Sequence, residues 1–216
     1  MKLTVLHADD DLVCVDKPSG VPSVPGWARD APDVVRIAEE QLGMRLFPLH
    51  RLDRPTSGVM VLARSSEAAA RLGALWGEVA KTYLGLVRGI PAAEGVIDHP
   101  LPKGEDPASP RVPAITRFVR LASSRIERVA WLELHPEQGR LHQIRRHLKH
   151  ISHPLLGDVN YGKGDWNRRF RESYGLDRLA LHAAAIELPL ASGRLRVEAP
   201  VPADLAGVLA RLGIPV

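Results

Sequence analysis

The chain has 216 residues, 45% of them hydrophobic, and a formal net charge of +4 at pH 7. That length buries a substantial core, and since no linker-like stretch argues for two domains, a single domain over residues 1–216 is expected. The single cysteine excludes an intramolecular disulfide and a cysteine-rich metal site, while the lack of a leader-like segment or an apolar run of about twenty residues points to a cytoplasmic chain without a membrane span.

Leu3 to His7 and Leu12 to Asp16 read as short strands joined through Asp9-Asp10-Asp11 in a hairpin, with Cys14 as a buried thiol in the second. Asp33 can cap a helix through Leu42, whose apolar face is Val34, Ile37, Ala38 and Leu42, and Gly43 ends it. Val59 to Ala63 is an unbroken apolar strand, and Ser65 or Ser66 caps a helix through about Val79. Strands are expected at Tyr83 to Val87, Ala114 to Leu121, Val129 to His135, Leu179 to Leu188 and Leu195 to Glu198. Ile97 to Pro113, rich in proline, is expected to be a long loop. Helices from about Leu141 to Ile151 and Ala203 to Leu212, the latter with Pro202 near its start, complete the set. This order lacks a regular strand-helix repeat, so the expected class is α+β with a mixed, largely antiparallel sheet flanked by helices and loops.

The segment His50-Arg51-Leu52-Asp53-Arg54-Pro55-Thr56-Ser57-Gly58 sets one carboxylate among guanidinium groups in a turn. Pro55 fixes its own φ and lacks a donor, and Gly58 can take backbone angles closed to other residues, so Asp53 is expected at a sheet edge, facing a cleft. Taken by itself, such a cluster most often only satisfies its own charges. A second concentration of charge, Arg140, Arg145, Arg146, Lys149, Lys163, Arg168, Arg169 and Arg171, is interleaved with Tyr161, Trp166 and Phe170, which would give an RNA both phosphate contacts and stacking faces. His142, His147, His150 and His153, with Glu133 or Asp158, raise a metal reading, but their offsets do not put three imidazoles on one helix face, so no metal is expected.

His50 to Gly58 resembles the catalytic signature of the RluA family of pseudouridine synthases. Lys17-Pro18-Ser19-Gly20, Lys81-Thr82-Tyr83, Gly139-Arg140-Leu141-His142-Gln143-Ile144-Arg145-Arg146-His147-Leu148 and His153-Pro154-Leu155-Leu156-Gly157-Asp158 agree with it in order, so the resemblance extends over nearly the whole chain. It implies isomerisation of uridine in RNA: the bond from ribose C1′ to uracil N1 breaks, the ring turns, and C5 is joined instead, with no cofactor required. By the same resemblance Asp53 is the catalytic carboxylate, Arg145 its cationic partner, Tyr83 the residue that packs on the uracil, and Leu148 an apolar wall of the pocket. Arg51 enters where the target base flips out and Arg54 touches phosphate. Arg140, His142 and Gln143 belong to the Gly-Arg-x-His-Gln motif and, with Arg168 and Arg169, are expected to bind substrate.

The segments Gly157-Asp158 through Phe170, Gly175 through Leu179 and Leu181-His182-Ala183 resemble family members that act on uridine 65 of tRNA, which makes tRNA the expected partner. Val21-Pro22-Ser23-Val24-Pro25-Gly26 is instead similar to members that modify 23S ribosomal RNA and a tRNA anticodon loop. A non-catalytic RNA-binding factor on the same scaffold is the alternative from another class, and intact Asp53, Tyr83 and Arg145 argue against it. No obligate protein partner is inferred.

Overall fold

Strands β1 (Thr4–Ala8) and β2 (Leu12–Lys17) form the expected antiparallel hairpin, with a register shift between Val5 and His7. The computed structural model describes residues 1–25, 32–104, 106, 108–190 and 193–215. Their contacts group into two compact units, Met1–Ala80 with Ala183–Pro200 and Lys81–His182 with Val201–Val216. Gly26 in the Val21 segment, and Glu105 and Pro107 in the proline-rich stretch, lie outside the described residues.

In the first unit β2 pairs antiparallel with β4 (Ser57–Ala63), and β4 in turn neighbours β11 (Leu181–Leu190); β12 (Gly193–Glu198) pairs with β11, and the short β3 (Phe47–Pro48) with β4. The unbroken apolar run of β4 has a simple cause. Val59, Val61 and Ala63 join Leu12 and Cys14 of β2 in one core cluster, while Met60 and Leu62 join Val13 and Val15 in another, so both faces of the sheet are buried. Helix α1 (Val34–Leu42) covers the second face through Val34, Ile37 and Ala38, and Asp33 caps it by accepting from the Arg36 amide, as expected. Helix α2 (Ser66–Ala74), capped by Ser65, covers the first face through Ala68 and Leu72. It is shorter than expected: Leu75 ends it and a 3-10 turn at Trp76–Glu78 follows. Burial pushes the Cys14 thiol up to about 12, with the Asp9 carboxylate adding to it.

The second unit is built on β5 (Ala80–Arg88), β10 (Val129–Pro136), β9 (Ile115–Ser124) and β6 (Glu94–Asp98), antiparallel neighbours in that order. Period-two alternation again divides the core. Val129 and Trp131 point with Leu86 to α5 (Ala203–Arg211) and to Phe170 of α4 (Gly164–Tyr174), whereas Ala130, Leu132 and Leu134 point with Val87 to Ile144 and Leu148 of α3 (Gln143–His150). Two expectations fail here. The proline-rich stretch is not a plain loop: its first residues, Ile97 and Asp98, end β6, and β7 (Leu101–Pro102) pairs with β8 (Arg111–Val112) in a small ribbon. The basic, aromatic stretch that opens at Gly164 is helical, with Trp166, Phe170 and Tyr174 stacked along one side at centroid separations of 5.9 and 5.0 Å. The whole is α+β with mostly antiparallel pairing, as expected.

Candidate active site

Asp53 lies half-buried in the connection that enters β4, and residues 17–23 clamp that connection carbonyl by carbonyl. Ser23 Oγ donates to Leu52 O at 2.8 Å and accepts from the Leu52 amide at 2.9 Å. Thr56 N–H donates to Asp53 O at 2.9 Å, Gly20 N–H to Arg54 O at 2.9 Å, and Ser19 Oγ to Pro55 O at 2.8 Å. Lys17 carries the most: fully buried at the end of β2, it donates through Nζ to Pro18 O and Arg54 O at 3.0 Å and to Thr56 O at 2.6 Å. A buried ammonium needs such acceptors to offset its lost hydration, and here they are the carbonyls that fix the shape of the Asp53 turn. Gly58 completes the constraint, since at φ 115° a Cβ would sit 2.1 Å from Ala183 O.

Lys17→Met keeps the volume but strands those carbonyls. It should destabilise the protein by about 3 kcal/mol and displace Asp53, so turnover falls far more than RNA affinity. Thermal unfolding and single-turnover rates check this, and a variant that is both stable and active contradicts it.

Around Asp53, Arg51 is exposed, and Arg54, also exposed, donates through Nε to Gly20 O at 2.8 Å. His50 Nε2 accepts from the Val61 amide at 3.0 Å and its ring stacks on Trp76 with centroids 4.9 Å apart.

In the second unit the sequence motifs gather around α3. Arg145 is 4% exposed rather than on the helix surface, and it meets Asp158 edge-on: Nε to Oδ2 is 2.8 Å and Nη2 to Oδ1 is 2.9 Å. Asp158 also accepts from the amides of Asn160 and Tyr161, at 2.9 and 3.0 Å. Burial drives its pKa upward, but Arg145 and those amides outweigh it and hold the carboxyl below the usual carboxylate range. The turn carrying Asp158 is itself tied down, with Asn167 bridging Asp158 O and the Gly157 amide at 2.8 and 3.0 Å. At Gly157, φ 74°, a Cβ would fall 1.8 Å from Arg178 O. Arg145 lies over the Tyr161 ring at 5.2 Å, and the Tyr161 hydroxyl accepts from Arg146 Nε at 3.0 Å and contacts His142 Nδ1 at 3.1 Å. His142 itself precedes α3 in a left-handed conformation, φ 53°, which a non-glycine residue holds only where its surroundings enforce it.

Tyr83 on β5 packs, partly buried, against the cluster that contains Ile144 and the fully buried Leu148. Burial holds the nearby Lys81 ammonium below the ordinary lysine range. Gln143 is turned inward: its amide donates to Ile115 O at 2.8 Å and its Oε1 accepts from the Arg140 amide at 3.1 Å. It therefore shapes the start of α3 and sets Arg140, whose side chain is exposed. Arg168 and Arg169 are exposed on α4, and each meets an acid, Asp165 at 2.7 Å for the first and Glu127 for the second. The Arg168 pair, exposed on both sides, contributes little that an RNA phosphate would have to replace. Sequence reasoning gave no role to Lys17 and weighed Asp158 only as a metal ligand and Tyr161 only as a stacking face, although Lys17 and Asp158 stand in motifs already noted.

The model of the RNA pseudouridylate synthase family matches residues 11–150, a span holding Asp53, Tyr83 and Arg145. Tyr161 and Asp158 follow it. The chain is similar to tRNA pseudouridine synthase C of Vibrio cholerae, at 34% identity over 98% of this chain and 96% of that one. It is also similar to the protein of that name from Haemophilus ducreyi, at 37% identity over 85% and 84% of the two chains. Among solved structures it resembles human RNA pseudouridylate synthase domain containing 4, with a TM-score of 0.80 and 29% identity over 98% of this chain and 94% of that one. A clamped aspartate turn, a buried arginine and a half-buried tyrosine thus stand at the positions that the sequence resemblance marks, within a match spanning most of the chain, and the chain belongs to the RNA pseudouridylate synthase family.

Proposed function

We propose that this enzyme isomerises uridine 65 of tRNA to pseudouridine in the cytoplasm as a single catalytic domain, with Asp53, Tyr83 and Arg145 as its catalytic residues. Similarity to tRNA pseudouridine synthases C over almost the full length of both chains is the observation that carries the choice of tRNA.

Asp53 acts on the target nucleotide as an ionised carboxylate, and its fixed turn supports that role, because a nucleophile or base gains from being held before substrate arrives. Arg145 supplies the positive charge that keeps a carboxylate ionised once RNA has excluded water. Tyr83 packs on the uracil, with Leu148 behind it in the same apolar cluster. Arg51, exposed, fills the stack that the flipped base has left, at an unstacking cost of a few kcal/mol. Arg54, Arg140, His142, Arg168 and Arg169 contact the RNA, and Gln143 fixes Arg140.

An unmodified tRNA transcript, an anticodon stem-loop and a 23S ribosomal RNA fragment, each incubated with the enzyme and mapped by carbodiimide labelling and primer extension, test the substrate. A single stop at uridine 65 of the tRNA is expected. Stops confined to the anticodon loop or the ribosomal fragment overturn the choice of target while leaving the chemistry.

A further inference from the structure

On the second unit a group of cation-forming side chains meets no acid among the described residues. His99, just after β6, and His150, the last residue of α3, stack with centroids 3.7 Å apart and planes at 14°. Arg111 of β8 brings Nη1 to 3.3 Å from His99 Nε2 and donates from the same nitrogen to Pro100 O at 2.7 Å. His150 and Arg111 are exposed and His99 is half-buried. Among the described residues no carboxylate pairs with any of the three, whereas Arg168, Arg169 and Arg171 of α4 each have one.

A guanidinium only donates, so His99 Nε2 must accept and His99 is neutral in this arrangement. Burial, then the neighbouring His150 and Arg111, hold its pKa below the ordinary histidine value. Two imidazolium rings stacked beside an arginine would repel one another unless an anion lay among them. An entering phosphate reverses that balance.

The other groups around the pair do not supply the anion. Buried His147 on α3 donates through Nε2 to His99 O at 3.0 Å and receives the Thr116 hydroxyl at Nδ1, 2.8 Å, and burial holds it too below the ordinary value. Lys149 of α3 has its ammonium 5.7 Å from the Tyr161 ring. Arg146 is spent on Tyr161 and on the carbonyls of Pro102 and Gly104. Asp98, at the end of β6, acts on His147.

We propose that His99, His150 and Arg111 form an anion subsite that receives a phosphodiester of the RNA substrate, with the imidazoles taking protons from solvent as the phosphate enters. The proposal rests on the reading of the chain as an enzyme that binds RNA. It predicts that RNA affinity rises with acidity through these two histidines in particular.

The test is the affinity of an unmodified tRNA transcript, read by fluorescence anisotropy at constant ionic strength from pH 6 to pH 8, for the wild-type protein and for His99→Gln/His150→Gln. Wild type should bind about tenfold tighter at pH 6 than at pH 8. The double variant should match it at pH 8 and lose most of the gain at pH 6. Arg111→Gln should weaken binding at both pH values and reduce the salt slope by about one. A pH dependence that survives the double substitution overturns the proposal, as does a flat wild-type profile. Inorganic phosphate, titrated against the imidazole proton resonances, separates the two levels of the claim. If phosphate shifts the titration of His99 and His150 but no tRNA is bound, the reading of the chain as an RNA enzyme fails and the RNA assignment of the subsite falls with it, while the anion chemistry stands.

Discussion

Asp53→Asn should abolish pseudouridine formation, lowering the single-turnover rate by about 10³-fold or more, while tRNA affinity stays within about threefold of wild type. An amide has nearly the shape of the carboxylate but neither its charge nor its nucleophilicity. The turn that presents it is held by main-chain contacts that the substitution leaves alone: Thr56 N–H to Asp53 O at 2.9 Å, and the donors from Lys17, Ser19, Gly20 and Ser23 to the carbonyls on either side. Fold and binding surface should therefore survive, and the loss belongs to chemistry. Measuring rate and affinity on the same preparation separates the two. Turnover within tenfold of wild type would remove Asp53 from the catalytic role.

Asp158→Ala should be the most destabilising single change near the site. The side chains of Arg145 and Asp158 are 4% and 0% exposed, so deleting the carboxylate leaves a guanidinium in the interior without its bidentate partner. Breaking a buried pair from one side costs about 3–5 kcal/mol, whereas removing both charges is far cheaper. For a chain of this size that corresponds to a fall of roughly 10 °C in the unfolding midpoint. The double variant Arg145→Met/Asp158→Ala should recover much of that stability, but no activity. Calorimetry of the three variants checks the ordering, and a double variant no more stable than Asp158→Ala would contradict it. The pair also gives acid stability a sign. Because the folded state holds the Asp158 carboxyl below its usual range, its contribution is fully present above the unfolded value, about 3.9, and is lost as pH falls through the lower folded value. Wild type should lose stability on acidification below about pH 4 in part through this group, and the double variant should be less sensitive there.

What could be read from sequence was local. The apolar runs Leu12–Val15 and Val59–Ala63 gave buried strands because every position packs on one face or the other. Asp33 marked its helix because its side chain does cap one. Helix α4 went unread because it starts at Gly164 behind Lys163, without a side-chain cap, and buries only Phe170; its signal was the four-residue spacing of Trp166, Phe170 and Tyr174. Strand β6 and the ribbon of β7 and β8 were hidden by proline and glycine; at Gly95 the Phe118 ring lies where a side chain would be.

The motifs of the candidate site could be read from sequence, but not the contacts that support them. Nothing in Lys17-Pro18-Ser19-Gly20 announces that the lysine is buried beneath the Asp53 turn, or that Ser19 and Ser23 hold its carbonyls. Nor does His153 to Asp158 reveal that its aspartate grips Arg145. Both are contacts between segments distant in sequence, created by packing.

Nucleoside analysis of tRNA after incubation with the enzyme tests the central claim most directly. The transcript is digested, and uridine, pseudouridine and free uracil are quantified by chromatography. One pseudouridine gained for each uridine lost, at unchanged RNA mass and only while Asp53 is intact, is the predicted result. Release of free uracil, or RNA that is bound but left unchanged, would contradict it.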